Sequence, residues 1–527
     1  MSVLETEVAI IGGGPVGQGL AIELARRGVE SVVIERHPTP QRVPKGQNLT
    51  QRTMEHFRNW GIEDALRAAR PIPPDYGIGG MTAYGTLLSR WTHDWLQREL
   101  VRPFYATDNE RLPQYETERV LRARAAELPG ITSLYGLTAE TVSPEGRVTA
   151  VARDGSRREV RARYVVGCDG ARSLLREQAG IALRRTDHDR LMVLLVFKSD
   201  GLRELLKRYP GKSFYCVLHP ELDGYWRFFG RVDLEGTFFF HAPVPAGTTR
   251  DSMDFARLLH EAVGAGFDVV FDHIGFWDLR IAVAESYRAG RCFVAGDAAH
   301  SHPPYGGYGI NTGFEDAVNL AWKLTAALRG WGGDALLDSY DSERRPVFES
   351  TARDFIERAI ETDRDFLRRF DPARDEVGFA EAWAARTSGA KSEVGGYEPH
   401  YEGSPVVWGP DGGACSAVGA HRFAARPGHH LAPLALGDGR SAFDALGTGF
   451  TLVSFAPDAA EPFVAAARRR GVPMALLPAS DPASRAAYGA GHILVRPDAF
   501  VAWAGDAVKE PEAVLARTVG QRAPVAA

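Results

Sequence analysis

The stretch VAIIGGGPVG, residues 8–17, limits what this chain can fold into more than any other. Val8, Ala9, Ile10 and Ile11 make the short unbroken apolar run of a buried parallel strand. Glycines at 12, 14 and 17 follow at once in the spacing G-x-G-x-x-G, with Pro15 among them. Residues 18–27 (QGLAIELARR) read as a helix closed by Gly28, and residues 31–34 as a second strand ending in Glu35. Strand, turn, helix, strand and acid in this order make a dinucleotide-binding βαβ unit. Gly12 permits the tight turn, Gly14 lets backbone approach a pyrophosphate, and Gly17 lets the helix pack on the strand. The helix N-terminus offers free N–H groups to the phosphates. Glu35 can accept hydrogen bonds from both hydroxyls of an adenosine ribose. By itself the stretch allows either FAD or NAD.

At 527 residues, 44% hydrophobic and 24% charged, the chain has room for two to four globular domains. Its net charge of −5 implies no nucleic-acid-binding face. Cys168, Cys216, Cys292 and Cys415 lie too far apart for a metal-ligand motif, and no disulfide framework is indicated, so no metal is expected. No apolar stretch approaches the length of a membrane span. The nucleotide strand begins almost at the first residue, so no signal peptide and a cytoplasmic location are expected.

Two later stretches repeat the strand–acid–helix theme. In YVVGCDGARSLLR (164–176) an apolar strand ends at Asp169-Gly170, where ligands bind in a parallel sheet. In residues 291–324 a strand ends at Gly296-Asp297. A Pro/Gly loop follows, with Pro303, Pro304, Gly306, Gly307 and Gly309, and then a long helix expected from Asn311 to Arg329. Between the two, residues 190–287 are rich in aromatics and period-2 stretches, as in an antiparallel sheet. Residues 71–80 read as a loop over a ligand, and 114–128 as an amphipathic helix. The expected division is 1–185 and 289–372 for the two parts of a nucleotide-binding domain, with 71–110 contributing to a substrate pocket. Residues 186–288 form a β-rich substrate domain, 373–403 a linker and 404–527 a small α/β module.

Taken together, these residues resemble the class A flavoprotein aromatic hydroxylases, the para-hydroxybenzoate hydroxylase fold. Within that family they are most similar to the phenol and polyketide hydroxylase types. Gly12-x-Gly14-x-x-Gly17 with Glu35 looks like the family's FAD-adenosine site, 169-DGARS-173 its second motif, and 296-GDAAH-300 its third. Gln114 matches a glutamine the family uses near FAD, and Tyr340 with 343-ERRP-346 a structural segment. Residues 426–428, 443–452 and 494–503 look like the C-terminal thioredoxin-like domain of these types. It contains only Cys415 and so cannot exchange a disulfide.

The resemblance implies an α/β Rossmann-like FAD domain, an inserted antiparallel substrate sheet and a thioredoxin-like module. It also implies an FAD-dependent NAD(P)H monooxygenase that hydroxylates a phenolic or polycyclic aromatic ring through a flavin C4a-hydroperoxide. The partners are a small aromatic substrate, O2, and NADPH or NADH as transient reductant, with a homodimer as candidate assembly. Cofactor contacts are expected at Gly12, Gly14, Pro15, Gly17, Glu35, Arg36, Gln114, Asp169, Asp297, Pro304, Gly307, Gly309, Ile310 and Asn311. Epoxidation, oxidative decarboxylation or denitration on the same fold, a flavin reductase without oxygen insertion, and a flavin-free nucleotide-binding regulator are the alternatives.

No second nucleotide fingerprint exists for the reductant, and Arg42, Lys45 and Arg172 are candidate pyrophosphate contacts. Tyr215, Tyr225, Trp226, Phe228, Phe238 and Trp277 are candidate pocket aromatics. A phenol is activated by losing its proton, so a base or strong acceptor is wanted; His219, His241 and Tyr225 are candidates. Pro304 stiffens the wall beside the reacting face. Phenol hydroxylases of this type carry an aspartate where this chain has Gln47. An amide orients a substrate but takes no proton at neutral pH.

Overall fold

The computed structural model describes residues 3–76, 79–95 and 98–521. Two eight-stranded sheets and one four-stranded sheet carry the architecture. In the first sheet Cys292–Val294, Arg157–Gly167, Val3–Ile11, Ser31–Glu35 and Ile131–Tyr135 lie side by side in parallel. Residues 8–11, 31–35, 165–166 and 292–294 of these strands are buried, and all but Ser31 and Glu35 are apolar. Their C-terminal ends carry the three motifs. Ile11 pairs with Gly167 and Ile34, and Gly167 with Val294, which brings residues 12–14, 168–170 and 295–297 to one edge.

The second sheet contains the long strands Leu183–Lys198 and Val270–Ala284, with Thr237–Val244, Trp226–Arg231 and Phe214–Leu218 beyond them. Gly80–Tyr84 and Thr92–Trp95 extend it, so part of the 71–110 segment joins this sheet. At the opposite edge His300–Ser301 pairs with Val283 and Ala282, which ties the third motif to it. In the 71–80 loop Pro74–Tyr76 form a 3-10 turn, while residues 77 and 78 lie outside the described residues.

Two expectations change. The helix after the glycine loop is Tyr308–Leu328, not 311–329. Gly306 and Gly307 both take left-handed φ, so Gly307 caps the helix and winding begins at once. Residues 373–403, read as a linker, hold the 21-residue helix Glu376–Gly396 and the short strand Tyr397–His400. Phe379 and Trp383 bury one side of that helix against Tyr84, Trp91 and His93. A helix this rich in Ala, Gly and Ser carries too few apolar residues to announce itself by periodicity.

The third sheet runs Met474–Pro478, Phe450–Ser454, His492–Val495, Val501–Gly505, the first pair parallel and the others antiparallel, with helices at 461–469, 482–488 and 511–518. This is the thioredoxin-like order. Two of its strands, Phe450–Ser454 and His492–Val495, fall on the expected 450–455 and 492–497; Met474–Pro478 and Val501–Gly505 are additional to them. The module docks on the long helix through Trp322, Trp331 and Phe450. Among the described residues no helix is long and apolar enough to cross a membrane.

Candidate active site

A cavity of about 540 Å³ runs from the first motif across the other two to the face of the second sheet. Gly12 has φ +100°, and a Cβ there would sit 2.2 Å from the Cys168 carbonyl oxygen, so the first and second motifs touch through a glycine. Gly14 faces open space, with no atom within 4 Å of its would-be Cβ. It caps the helix Pro15–Ala25, whose first residue, Pro15, lines the cavity and lacks the N–H that would be unsatisfied there. Gly17 is absent from the lining. Its Cβ would fall 1.9 Å from the Gly12 carbonyl oxygen, so it serves helix–strand packing alone.

Glu35 lines the cavity with Arg36, and its carboxylate is already engaged. Oε2 accepts from the Gly13 N–H at 2.7 Å and Oε1 from the His37 N–H at 2.7 Å. Each oxygen keeps a lone pair for a ribose hydroxyl. Gln114 opens the helix Gln114–Glu127 and donates to Glu118; both line the cavity. Asp169 Oδ2 caps the helix at 174–178, accepting from the Leu174 and Leu175 N–H groups, while buried Oδ1 has no partner. Burial pushes its carboxyl up, against the pull of Ser173.

Asp297 follows the strand Cys292–Val294, is exposed and lines the cavity. Its enclosed position raises its carboxyl, offset by His300 and Lys45. Among the described residues nothing hydrogen-bonds that carboxylate. Its neighbour His300 turns inward to Asp316 at 2.7 Å, and Asp316 also takes Arg344 at 2.7 Å and the Gly296 N–H, so this trio fixes the turn. Lys45 and Arg172 reach the lining, but Arg42 does not.

Pro304, Gly307, Gly309 and Ile310 line the cavity around the first turn of the long helix, whose N–H groups lack intrahelical partners. The Asn311 side chain lies outside the lining. Its Oδ1 accepts from the Thr50 N–H and the Thr53 hydroxyl, and its Nδ2 donates to the Asn48 and Gly307 carbonyls. It clamps the strand Asn48–Leu49 onto the glycine turn.

Beyond Pro304 opens a second hollow of about 620 Å³; Trp95, Phe228 and Pro304 face both spaces. Sheet parity decides which aromatics reach them. Phe214, Phe228, Phe239 and His241 share one face. Tyr215 and Phe238, one residue out of step, are sealed in the core behind it. Gly230 leaves the space that Phe239 fills, since a Cβ there would lie 2.0 Å from that ring. Trp226 lines the second hollow, and Trp277 packs edge-on to His241.

His219 and Tyr225 line neither space. His219 caps the 3-10 turn Pro220–Leu222, accepting from the Glu221 N–H, and Tyr225 packs beneath Arg190 at 4.9 Å. Both belong to the connection between the strands Phe214–Leu218 and Trp226–Arg231. His241 does line the cavity, but burial lowers it to about 4 and leaves it neutral. Gln47 is there too, its Oε1 accepting from Arg111 at 2.7 Å.

Residues missed from sequence wall the second hollow. The Tyr305 hydroxyl donates to Asp363 at 2.7 Å, Arg386 pairs with the same carboxylate, and burial pushes Glu393 up to about 7. Arg386 and Glu393 come from the unforeseen helix. Elsewhere His400, Glu402 and His429 bring ligand atoms within 4.8 Å, but both His429 nitrogens already face Glu398 and Glu402.

An extended dinucleotide fits these groups: an open glycine cradle at a helix N-terminus, one ribose-facing acid, and, at the other motifs, one oxygen of Asp169 and the Asp297 carboxylate without protein partners among the described residues. Gly14→Ala tests the fit. With open space at the Cβ and φ of −73°, the apo protein is expected to keep its stability within about 0.5 kcal/mol. FAD affinity, read by flavin fluorescence, should fall by roughly tenfold as the methyl meets the pyrophosphate. Unchanged affinity would move the phosphates elsewhere.

Comparison with known proteins agrees. Residues 5–354 match a family described as FAD binding domain, and 424–522 one described as aromatic-ring hydroxylase, C-terminal. A 4-methyl-5-nitrocatechol 5-monooxygenase from Burkholderia sp is 34% identical, covering 97% of this chain and 96% of its own. A putative polyketide hydroxylase from Streptomyces halstedii is 34% identical over 95% and 94%. Among solved structures, the substrate-free rebeccamycin biosynthetic enzyme RebC matches with a TM-score of 0.83 at 29% identity, over 99% of this chain and 100% of that one. Aklavinone-11 hydroxylase with FAD and aklavinone matches with a TM-score of 0.80 at 27%, over the same shares.

Proposed function

We infer the reaction from one premise: this chain belongs to the class A flavoprotein aromatic hydroxylases and is an FAD-dependent monooxygenase. We propose that it hydroxylates a phenolic or polycyclic aromatic compound, with NADH or NADPH as transient reductant and dioxygen as co-substrate. The observation that carries this reading is the wall of Trp95, Phe228 and Pro304, which the nucleotide cavity shares with the aromatic hollow.

When bound, FAD supplies the electron transfer that links reductant to dioxygen. The chain's own residues do the rest. Gly12, Gly14 and the N-terminus of the helix Pro15–Ala25 bind the pyrophosphate, and Glu35 with Arg36 orients the adenosine end. Asp169 and Asp297 hold hydroxyls. The first-turn N–H groups of the helix Tyr308–Leu328 favour negative charge at Gly307 to Ile310. Phe214, Phe228 and Phe239 keep water from the ring being oxidised. Lys45 and Arg172 offer cations to the reductant's phosphates.

The test is rapid reduction of the purified yellow protein by NADH and by NADPH across a panel of phenols. One compound is expected to accelerate flavin bleaching and to be recovered one oxygen heavier. Bleaching with no oxygen in any product would leave a reductase. A second reading, oxygen insertion at a substituted ring carbon with loss of the substituent, is favoured by the nitrocatechol monooxygenase among the relatives. Release of nitrite from a nitrocatechol would select it.

A further inference from the structure

Behind the aromatic face of the cavity lie two buried arginines, Arg111 and Arg231, 3% and 4% exposed. Among the described residues neither has a carboxylate within ion-pairing distance. Glu110, beside Arg111 in the chain, turns instead to Arg67 and Arg70 at 2.9 and 2.8 Å. Arg111 sits 4.1 Å over the Phe214 ring and donates from Nη2 to Gln47 Oε1 and to the Arg231 carbonyl. Its Nε and Nη1 have no partner. Arg231 donates from Nε to the Tyr215 hydroxyl at 3.1 Å. Buried charge without a counter-ion is costly and rarely kept without use.

Gln47 links this charge to the cavity. Arg111 can only donate, so the amide oxygen must face it and the NH2 must face away. That Nε2 is buried without a partner, and Gln47, 5% exposed, lines the cavity beside Phe214, Phe239 and His241. The corner therefore offers donors and positive charge but no effective base: Gln47 takes no proton, and His241, lowered by burial to about 4, is too weak a base to take one from a phenol. Burial pushes the Arg111 guanidinium down only to about 9, leaving it charged at neutral pH. Lys45, two residues before Gln47, adds a cation to the lining. Of the acids in the lining, Glu35, Asp169 and Asp297 belong to the nucleotide motifs, and Glu118 accepts from Gln114.

We propose that Gln47, positioned by Arg111, receives the ionised oxygen of the substrate, so that the ring is taken up as its phenolate and not deprotonated by the protein. The phenolic proton goes to bulk water on binding, and no bond to carbon changes in this step. Acidic phenols, such as those bearing a nitro group, are the class such a corner selects. The inference rests on the hydroxylase reading and names its substrate more closely.

The test uses the FAD-loaded protein and 4-nitrocatechol, whose visible band reports its ionisation. Bound to the wild type, the compound is expected to ionise about one to three pH units below the free compound, the shift a nearby opposite charge produces. Arg111→Met should abolish that shift and weaken binding at least tenfold, and Arg111→Lys should restore part of both. Gln47→Glu, which places a carboxylate in the corner, should make the bound ring harder to ionise than the free one, and it carries the test alone if Arg111→Met does not fold. The same midpoint bound and free in the wild type, a shift that survives Arg111→Met, or no binding by the FAD-loaded protein overturns the inference. A protein that holds no FAD overturns the hydroxylase reading instead.

Discussion

Asp297→Ala is expected to give a folded protein that loses most of its FAD during purification. The fold does not depend on this carboxylate: it opens into the cavity, and among the described residues no group bonds it. The turn that presents it is held by Asp316, His300 and Arg344, all left intact. What the substitution removes is a charged acceptor for the cofactor's hydroxyls. A hydrogen bond to a charged group is worth about 1.5–3 kcal/mol, so affinity should fall roughly ten- to hundredfold. Asp297→Asn, which keeps one acceptor oxygen, should fall between. The ratio of flavin to protein absorbance and a fluorescence titration with added FAD measure it. Full occupancy with unchanged affinity would take the third motif out of the cofactor site.

That Asp297 could be picked from sequence follows from where its information lies. A strand end, a glycine and an acid are local, and a parallel sheet carries three such ends to one edge whatever lies between them in the chain. The substrate side depends on parity and on distant packing. Tyr215 and Phe214 are equally aromatic, and only the register of Phe214–Leu218 against Trp226–Arg231 says which one sees the cavity. His219 and Tyr225 looked chemical because of their side chains, yet their positions on a turn tip follow from loop geometry that no periodicity encodes. Arg386 and Glu393 were hidden in a segment whose Gly, Ala and Ser content reads as linker. Arg111 was hidden differently. It lies three residues before the helix read from Gln114, in a stretch that carries no motif, and nothing local distinguishes an arginine lacking a counter-ion from one on the surface.

Glu343→Ala is expected to destabilise the protein by about 3–5 kcal/mol, as breaking a fully buried ion pair does. Oε2 of Glu343 takes Lys323 Nζ at 2.6 Å, Asn319 at 2.8 Å and Arg496 Nη2 at 2.9 Å; Oε1 takes Arg496 Nη1 and the Ser404 hydroxyl, each at 2.6 Å. Arg496 also pairs with Asp498, which accepts from the Trp322 indole. Two cations and two anions thus balance with no access to water, and they join the long helix to the C-terminal module. Without Glu343, Arg496 keeps Asp498 but Lys323 is stranded. Burial already lowers Lys323 to about 8 against the support of Glu343, so it would lose its proton or draw in water. Burial alone would raise the Glu343 carboxyl, but Arg496 and Lys323 outweigh it and hold the group well below the usual carboxylate range. A depressed folded-state value means that the contribution is complete above the unfolded value of about 4.3 and is lost as pH falls toward the folded one. With Lys323→Met in both proteins, so that no stranded amine titrates, the gap in urea midpoint between Glu343 and its Ala variant should therefore be flat from about pH 5 to 7 and close below about pH 4. Lys323→Met added to Glu343→Ala should recover part of the loss, since it removes the stranded charge. Equal midpoints at neutral pH would mean that the module is held by its apolar contacts at Trp322, Trp331 and Phe450, with the ionic knot contributing nothing.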